Sequence, residues 1–154
     1  MGIEQAGIAF CAISCAFLTA APERPAASTG WPDGDPGTGD ALVQLADAKD
    51  IVERAARGAF DARGDIGCAQ ERGQALFTCV AGVVRSGSGD AAVAVTFPNG
   101  FVRTLYFESR MFVRGSATMS GTGRDTDWEL SDGLHRVRVD DQRYELPDAF
   151  VFGD

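Results

Sequence analysis

The chain has 154 residues, of which 45% are apolar, and a formal net charge of −8. This length allows one domain of ordinary size, and the apolar fraction excludes a wholly disordered chain. Because an acidic surface repels phosphate groups, we expect neither nucleic-acid binding nor adsorption to anionic lipid head groups.

The N-terminal segment has the pattern of an export signal. Every residue from Gly7 to Ala21 is apolar or small, a run of about 15 residues that is too short to cross a bilayer as a helix. The run ends in small residues, as signal-peptide cleavage sites do, and cleavage after Ala20 or Ala21 fits best. No Lys or Arg precedes the run, so an uncleaved anchor or a buried helix is the alternative. We predict a signal peptide at 1–21 and a periplasmic or secreted protein without stable membrane insertion after cleavage.

A lipid anchor at Cys15 is a second alternative for the same segment, because a small residue precedes this cysteine. Two features favour the cleaved signal over the anchor. Ala12 stands where a lipidation signal usually has Leu, and the residues after Cys15 continue the apolar run.

Residues 22–40 are rich in Pro, Gly and Asp, a composition that does not sustain a helix or a central strand. We interpret them as a flexible linker that precedes a single α+β domain at 41–154. Their acidic residues do not fit a calcium loop. Gly37 and Thr38 stand where an EF-hand needs an oxygen-bearing side chain and a glycine.

A helical pattern follows, with Asp40 as a candidate cap for its first N–H groups. Its apolar positions recur every three or four residues, which predicts one buried face. These positions are Leu45, Ala48, Ile51 or Val52, Ala55 and Ala59. Gly58 or Gly64 is expected to end the helix.

After Gly64 the apolar period changes to two, which is typical of strands. The predicted strands are Ala75 to Val84, Ala92 to Phe97, Phe101 to Phe107, Trp128 to Leu130, Leu134 to Val139 and Arg143 to Leu146. Asn99-Gly100 predicts a type I′ hairpin turn, whereas 111–126 shows no clear pattern. The predicted fold is therefore α+β, with one N-terminal amphipathic helix packed on an antiparallel sheet of five to six strands.

Cys68 and Cys79 are the two cysteines beyond the predicted signal. In an oxidising compartment two cysteines at this spacing usually pair, and we predict a disulfide between them. The turn Glu71-Arg72-Gly73 suits a hairpin that would bring them together. A reactive thiol would call for a Cys-x-x-Cys spacing or an adjacent histidine, and the sequence has neither.

His135 is the only histidine, so any Ser-His-Asp or Cys-His site would have to use it. It falls in the middle of a predicted strand, and the chain has no Gly-x-Ser-x-Gly elbow. We interpret it as a surface or half-buried strand residue. One histidine and two paired cysteines make a zinc site hard to build, and Gly121-Thr122-Gly123 lacks the third glycine of a dinucleotide loop. We predict no metal, no cofactor and no catalytic residue.

Charged side chains leave two further interpretations open. Arg136 and Arg138 project from one side of their predicted strand with Arg143 on the next, and three guanidinium groups there could bind a carboxylate or phosphate. The alternative is a solvated face that pairs with the protein's own acids. Carboxylates are numerous, and no spacing singles out an acid–base pair among Glu108, Asp125, Asp127, Glu129 and Asp132.

The second half of the chain, from about Ile66 to Asp154, resembles small exported bacterial proteins of uncharacterised function. The matching features are Cys68-Ala69-Gln70, Cys79, the hairpin at Asn99-Gly100 that runs to Tyr106-Phe107, and the ending Arg143-Tyr144-Glu145-Leu146-Pro147-Asp148-Ala149 with Phe152-Gly153. The resemblance implies export and the disulfide. It implies no activity and no binding residues.

Three functions are compatible with these features. The first is a non-catalytic envelope binding or inhibitor module that acts through a loop or a strand edge. The second is a structural or assembly accessory of the envelope, and the third is a carboxylate-dependent enzyme. No partner or binding residue is identified, and another envelope protein is the candidate partner.

The export interpretation predicts where the mature chain begins. N-terminal sequencing of protein from the envelope fraction should give a start near Ala21, because the apolar run ends there. Recovery of Met1 or Gly2 as the first residue would contradict it.

Overall fold

The computed structural model describes residues 36–119 and 121–153. The predicted signal at 1–21 and most of the predicted linker lie outside the described residues. Within these residues, two helices and eight strands follow one another. In order they are α1 (Pro36–Ala56), β1 (Ala62–Ala69), β2 (Phe77–Arg85), β3 (Ala91–Thr96), β4 (Val102–Glu108), β5 (Met111–Gly115), β6 (Thr126–Ser131), β7 (Leu134–Val139), β8 (Gln142–Pro147) and α2 (Asp148–Phe152).

All eight strands belong to one antiparallel sheet, in the order β5-β4-β3-β2-β1-β8-β7-β6. Each hairpin pairs two strands that are consecutive in the chain, and the pairing of β1 with β8 joins the two halves of the sheet. β5 and β6 are its edges, and β5 also lies against β6 and β7. The sheet is therefore curled into a nearly closed barrel.

The prediction of one helix on five to six strands was wrong. The sequence pattern missed β1, β5 and α2, and a sheet of eight strands curls around its own core. The coarser prediction, a domain with both helical and strand elements, is confirmed.

The interior of the barrel is lined by inward-facing side chains, which alternate with outward-facing ones most clearly along β4, β7 and β8. On β4 these are Arg103, Leu105 and Phe107, all almost completely buried, and they meet inward-facing residues of the other strands. At one end α2 inserts Val151 into this core, where Arg85 donates hydrogen bonds to the carbonyls of Phe150 and Val151.

Helix α1 packs on the outer face of β2 and β3. Ile51 and Ala55 contact a second, smaller core formed with Val84 and Ala92, so the predicted apolar face is correct in the C-terminal half of the helix. Leu45 is 67% exposed, although the same pattern predicts its burial. The helix begins at Pro36, within the segment interpreted as linker, and it ends two residues before Gly58.

A carboxylate fastens the end of α1 to the sheet. Asp61 accepts a hydrogen bond from the backbone N–H of Arg85 at 2.8 Å and forms an ion pair with Arg54. The hydrogen bond from Arg85 lowers the pKa of Asp61, against the opposing effect of burial, and the charge of Arg54 lowers it further.

The hairpin at Asn99-Gly100 is confirmed, but its turn is not type I′. A type I′ turn needs a positive φ at both Asn99 and Gly100, but only Gly100 has one, 83°. Pro98, whose ring fixes its φ at a negative value, suits a type I turn instead. The loop thus has three residues, 98–100, and is closed by a hydrogen bond of 2.8 Å from the Phe97 N–H to the Phe101 carbonyl. Two-residue turns in which both residues have positive φ occur instead at Ser109-Arg110 and Asp132-Gly133.

The gap between the edge strands is bridged at one end by a polar cluster. Arg103, completely buried, donates to the Asp140 carboxylate at 2.7 Å and to the Thr118 hydroxyl at 2.8 Å. The same carboxylate accepts a hydrogen bond from the backbone N–H of Gly123 at 3.2 Å. The cluster thereby ties β4, the β7–β8 turn and the connection between β5 and β6 together.

Close backbone approach explains two of the glycines in this connection. A Cβ on Gly121 would lie 2.1 Å from an Asp140 carboxylate oxygen, and one on Gly123 would lie 2.4 Å from the Gly115 carbonyl oxygen. Gly123 also has a φ of 72° and accepts a hydrogen bond from the backbone N–H of Gly115 at 3.0 Å. The Gly121-Thr122-Gly123 sequence therefore serves the closure of the barrel.

The predicted disulfide between Cys68 and Cys79 is present. It links β1 to β2 within their hairpin, and its Cα atoms are 5.9 Å apart. Changing either cysteine to Ser should lower the free energy of unfolding by roughly 3 kcal/mol, because the closed loop then regains its freedom in the unfolded chain. Chemical denaturation of each variant measures this change.

A double Cys68→Ser/Cys79→Ser variant supplies the control for the disulfide. Its free energy of unfolding should be only slightly lower than that of either single variant, because the same cross-link is lost in all three variants. Wild-type protein treated with a reductant should reach the same stability. Equal stability of oxidised wild type and double variant would contradict a stabilising role.

The ion pair between Arg103 and Asp140 leads to a second prediction about stability. Arg103→Met should cost roughly 3 kcal/mol in urea denaturation, because the Asp140 carboxylate then loses its partner inside the barrel. Combining it with Asp140→Asn should cost less than the sum of the two single changes. The control is Arg57→Met at an exposed arginine just after α1, for which we expect a change within about 0.5 kcal/mol. A loss below about 1 kcal/mol for Arg103→Met would refute the importance of the pair.

Candidate functional site

His135 lies inside the barrel, so its interpretation as a surface or half-buried residue was wrong. It is completely buried between Trp128 and the aromatic side chains of Phe107 and Phe152. On β7 it has the same parity as the buried Val137 and Val139. That parity was the signal that could have placed it inside.

Both ring nitrogens of His135 have partners. The Trp128 indole N–H donates to Nδ1 at 3.1 Å, and Nε2 lies 2.9 Å from a carboxylate oxygen of Asp148. Because an indole N–H can only donate, Nδ1 is the acceptor in the first contact, and Nε2 is the nitrogen positioned to donate to Asp148. The other oxygen of Asp148 accepts a hydrogen bond from Arg110 at 2.8 Å. This network holds α2 against β7 and leaves neither nitrogen for a substrate.

The polar end of the barrel contains a cleft of about 230 Å³ beside Arg103. The charge of Arg103 is matched there by Asp140, and Glu71 and Asp141 add further carboxylates to the lining. Tyr144 lies below, where burial raises its pKa and its hydroxyl donates to Gln142 at 2.6 Å. With its cation already paired, this cleft has no free positive charge for an anion.

Two of the three predicted surface arginines are paired with acids of the protein. Arg136 lies between Glu129 and Glu145, at 3.9 and 3.6 Å. Arg138 forms an ion pair with Asp125 at 3.1 Å. For these two residues the interpretation as a solvated, self-paired face is correct.

Arg143 differs from its two neighbours. It stands directly across the β7–β8 ladder from Arg138, a like charge, and within the described residues no carboxylate lies at ion-pair distance from it. Its Nη2 group donates to the Gln74 carbonyl, and its buried Nε–H has no hydrogen-bond partner. Since an unmet buried donor costs free energy, this guanidinium group is incompletely stabilised in the free protein.

A cleft of about 260 Å³ lies over Arg143 on the outer face of β6, β7 and β8. Leu76, Trp128 and Val137 contribute to its lining, together with charged side chains. These are Asp127, Glu129, Arg136, Arg138, Arg143 and Glu145. We call this surface the arginine cleft.

The disulfide lies next to one wall of the arginine cleft. Gln74 and Leu76 belong to the loop between Cys68 and Cys79, and Ala69, next to Cys68, is the ladder partner of Arg143. The cross-link therefore restricts the loop that carries the carbonyl partner of Arg143 and an apolar side chain of the cleft.

The structure separates the carboxylates that the sequence could not rank. Asp127 and Glu129 lie at the arginine cleft, and Asp125 pairs with Arg138 beside it. Glu108 and Asp132 lie elsewhere, at the end of β4 and in the β6–β7 turn. Sequence reasoning missed Gln74 and Leu76, which a strand pattern alone does not connect to Arg143.

Within residues 36–119 and 121–153, no group of three or more His, Cys, Asp or Glu side chains is arranged to hold a metal ion. Neither helix in that part of the chain combines the length and the apolar character of a membrane span. Comparison of the chain with protein families, curated proteins and solved structures found no significant match.

Proposed function

We propose that this protein is an exported, non-catalytic binding module that holds its partner at the arginine cleft. The observation that carries the proposal is Arg143, a half-buried cation that faces another arginine and has no carboxylate at ion-pair distance within the described residues. Binding of an anionic partner group there would supply the counter-charge that Arg143 lacks.

The filled interior supports a surface function. The side chains of a large core cluster lie inside the barrel, and Val151, Phe150 and Phe152 of α2 pack into or against that cluster. Barrels of this strand number hold a small ligand only where the interior is left open. A ligand of this protein would therefore bind on the outside, where the alternation of β6 to β8 places the charged residues.

The state of His135 favours a binding module over an enzyme. General acid–base chemistry most often uses a histidine that can reach its substrate. Here the ring is buried and both nitrogens are engaged by Trp128 and Asp148.

Export to the periplasm or the exterior is part of the proposal. Its support is the disulfide, which is typical of oxidising compartments, and the apolar run that predicts a signal at 1–21. Lipid anchoring at Cys15 is the alternative outcome, and mass spectrometry of the native N-terminal region would reveal it.

An assembly accessory of the envelope is the second candidate function. It is favoured by the two edge strands, because within the described residues β5 and β6 each pair with only one strand in the ladder, and they carry the exposed apolar residues Met111, Val113 and Leu130. A partner strand could pair there.

The proposal is tested by cross-linked capture from a native envelope extract, with the wild type and the variants Arg143→Gln and Arg57→Gln as baits. Arg57 is an exposed arginine just after α1, so its change removes the same charge away from the cleft. We expect one partner species in equal amount with wild type and Arg57→Gln, and an approximately tenfold loss with Arg143→Gln.

Capture that is equal for all three baits would refute the arginine cleft as the binding surface. If capture is lost instead when Val113 is changed to Lys on the edge of β5, the assembly function is favoured. Thermal melting of each bait shows whether the comparison is between folded proteins.

A further inference from the structure

We infer that the group bound in the arginine cleft is a carboxylate with a short apolar body. The inference rests on the proposed function and deepens it, because it names the chemistry that Arg143 would recognise. Three observations lead to it: the charge at the cleft floor, the acids around the rim, and the apolar wall.

The floor of the cleft carries a positive charge that lacks a counter-ion. Arg138 and Arg143 are direct cross-strand partners, and like charges in this arrangement destabilise a sheet. Arg138 is relieved by Asp125, whereas Arg143 has only the Gln74 carbonyl. An anion over Arg143 would relieve the repulsion and bind to the N–H groups of a planar guanidinium, whose fork matches a carboxylate.

The acidic residues at the rim of the cleft favour a ligand with one negative charge over a ligand with two. Asp127, Glu129 and Glu145 surround the two arginines, and only Glu129 and Glu145 are partly neutralised, both by Arg136. The whole chain adds a net charge of −8. Because repulsion grows with ligand charge, a phosphate at neutral pH or a polyanion is disfavoured relative to a carboxylate.

The wall of the cleft suits an apolar chain beside the carboxylate. Leu76 is 39% exposed at the cleft, and the half-buried Trp128 also lines it, whereas Val137 belongs to the core. A volume of about 260 Å³ accommodates a group the size of an amino-acid side chain or a chain terminus. Small organic acids and peptide carboxylates share this chemistry, and the choice between these two sources is left to the experiment.

The test follows the Arg143 Nε–H resonance by NMR while the folded full-length mature protein is titrated with four probes. These are butyrate, an N-acetylated dipeptide with a free C-terminus, its C-terminally amidated form, and inorganic phosphate, all at constant ionic strength. We expect saturable binding of butyrate and of the free-acid dipeptide with Kd values of millimolar order, as small ligands of this size allow. The amidated dipeptide and phosphate should bind about tenfold more weakly or not at all.

Three variants make the result specific to the cleft. The variants Arg143→Gln and Arg143→Lys lack the Arg143 Nε–H signal, so binding to them is followed on the Trp128 indole N–H signal. The same indole signal should also shift when the wild type binds a carboxylate. Arg143→Gln should weaken carboxylate binding about tenfold, Arg143→Lys should weaken it less because the charge is kept, and Arg57→Gln should leave it unchanged. Tighter binding of the free-acid dipeptide than of butyrate indicates a peptide source, and the reverse order indicates a small acid. Both orders support the inference.

Equal binding of phosphate and carboxylate, or carboxylate binding that survives Arg143→Gln, would overturn the inference. So would the absence of saturation by both carboxylate probes. If that failure occurs while envelope capture still depends on Arg143, the binding module stands and only its ligand class is wrong. If carboxylates bind at Arg143 but capture does not depend on it, the carboxylate site is correct and the proposed function fails.

Discussion

The ion pair between Arg103 and Asp140 is the contact on which the closed form of the sheet depends. An antiparallel sheet of eight strands that is not closed ends in two edge strands, and here β5 and β6 are not joined in the ladder. The pair connects β4 with the β7–β8 turn and, through Thr118 and Gly123, with the chain between the edges. A buried ion pair adds little stability by itself, since desolvation offsets the attraction, but it penalises every arrangement that leaves either ion alone. Asp140 thus compensates the charge of Arg103 in the curled sheet, where Arg103 has no access to water.

Closure has a direct consequence for function. Once the sheet curls, one face of each strand is buried in the core, and a partner can reach only the other face. On β7 this division buries His135 with Val137 and exposes Arg136 and Arg138. The same division on β8 buries Tyr144 and places Arg143 outside, next to the loop that the disulfide restricts. The structural chemistry of the interior and the proposed binding chemistry thus use alternate residues of the same two strands.

Six of the eight strands were predictable because their apolar period of two is regular and their turns carry Gly, Asn or Asp. β5 was missed because the turn before it, Ser109-Arg110, has positive φ at both residues without a glycine. The backbone strain of this turn is offset by two tertiary hydrogen bonds. The Ser109 N–H donates to an Asp90 carboxylate oxygen, and the Arg110 N–H donates to the Gly89 carbonyl. β1 was missed because Arg63, Asp65 and two glycines dilute its pattern, although its partners on both sides bury Ile66 and Cys68.

By itself the sequence determined the features that depend on near neighbours: the C-terminal half of α1, the hairpins, and the disulfide that closes one of them. It also identified the three arginines that surround the candidate site. Only the tertiary structure decided that β1 pairs with β8, that the sheet curls, and that Arg143 alone of the three has no carboxylate at ion-pair distance among the described residues. A period of two shows that a strand has two faces, whereas strand order and register decide which residues of other strands those faces meet. The pairing of a surface charge depends on such distant neighbours, and no local pattern records them.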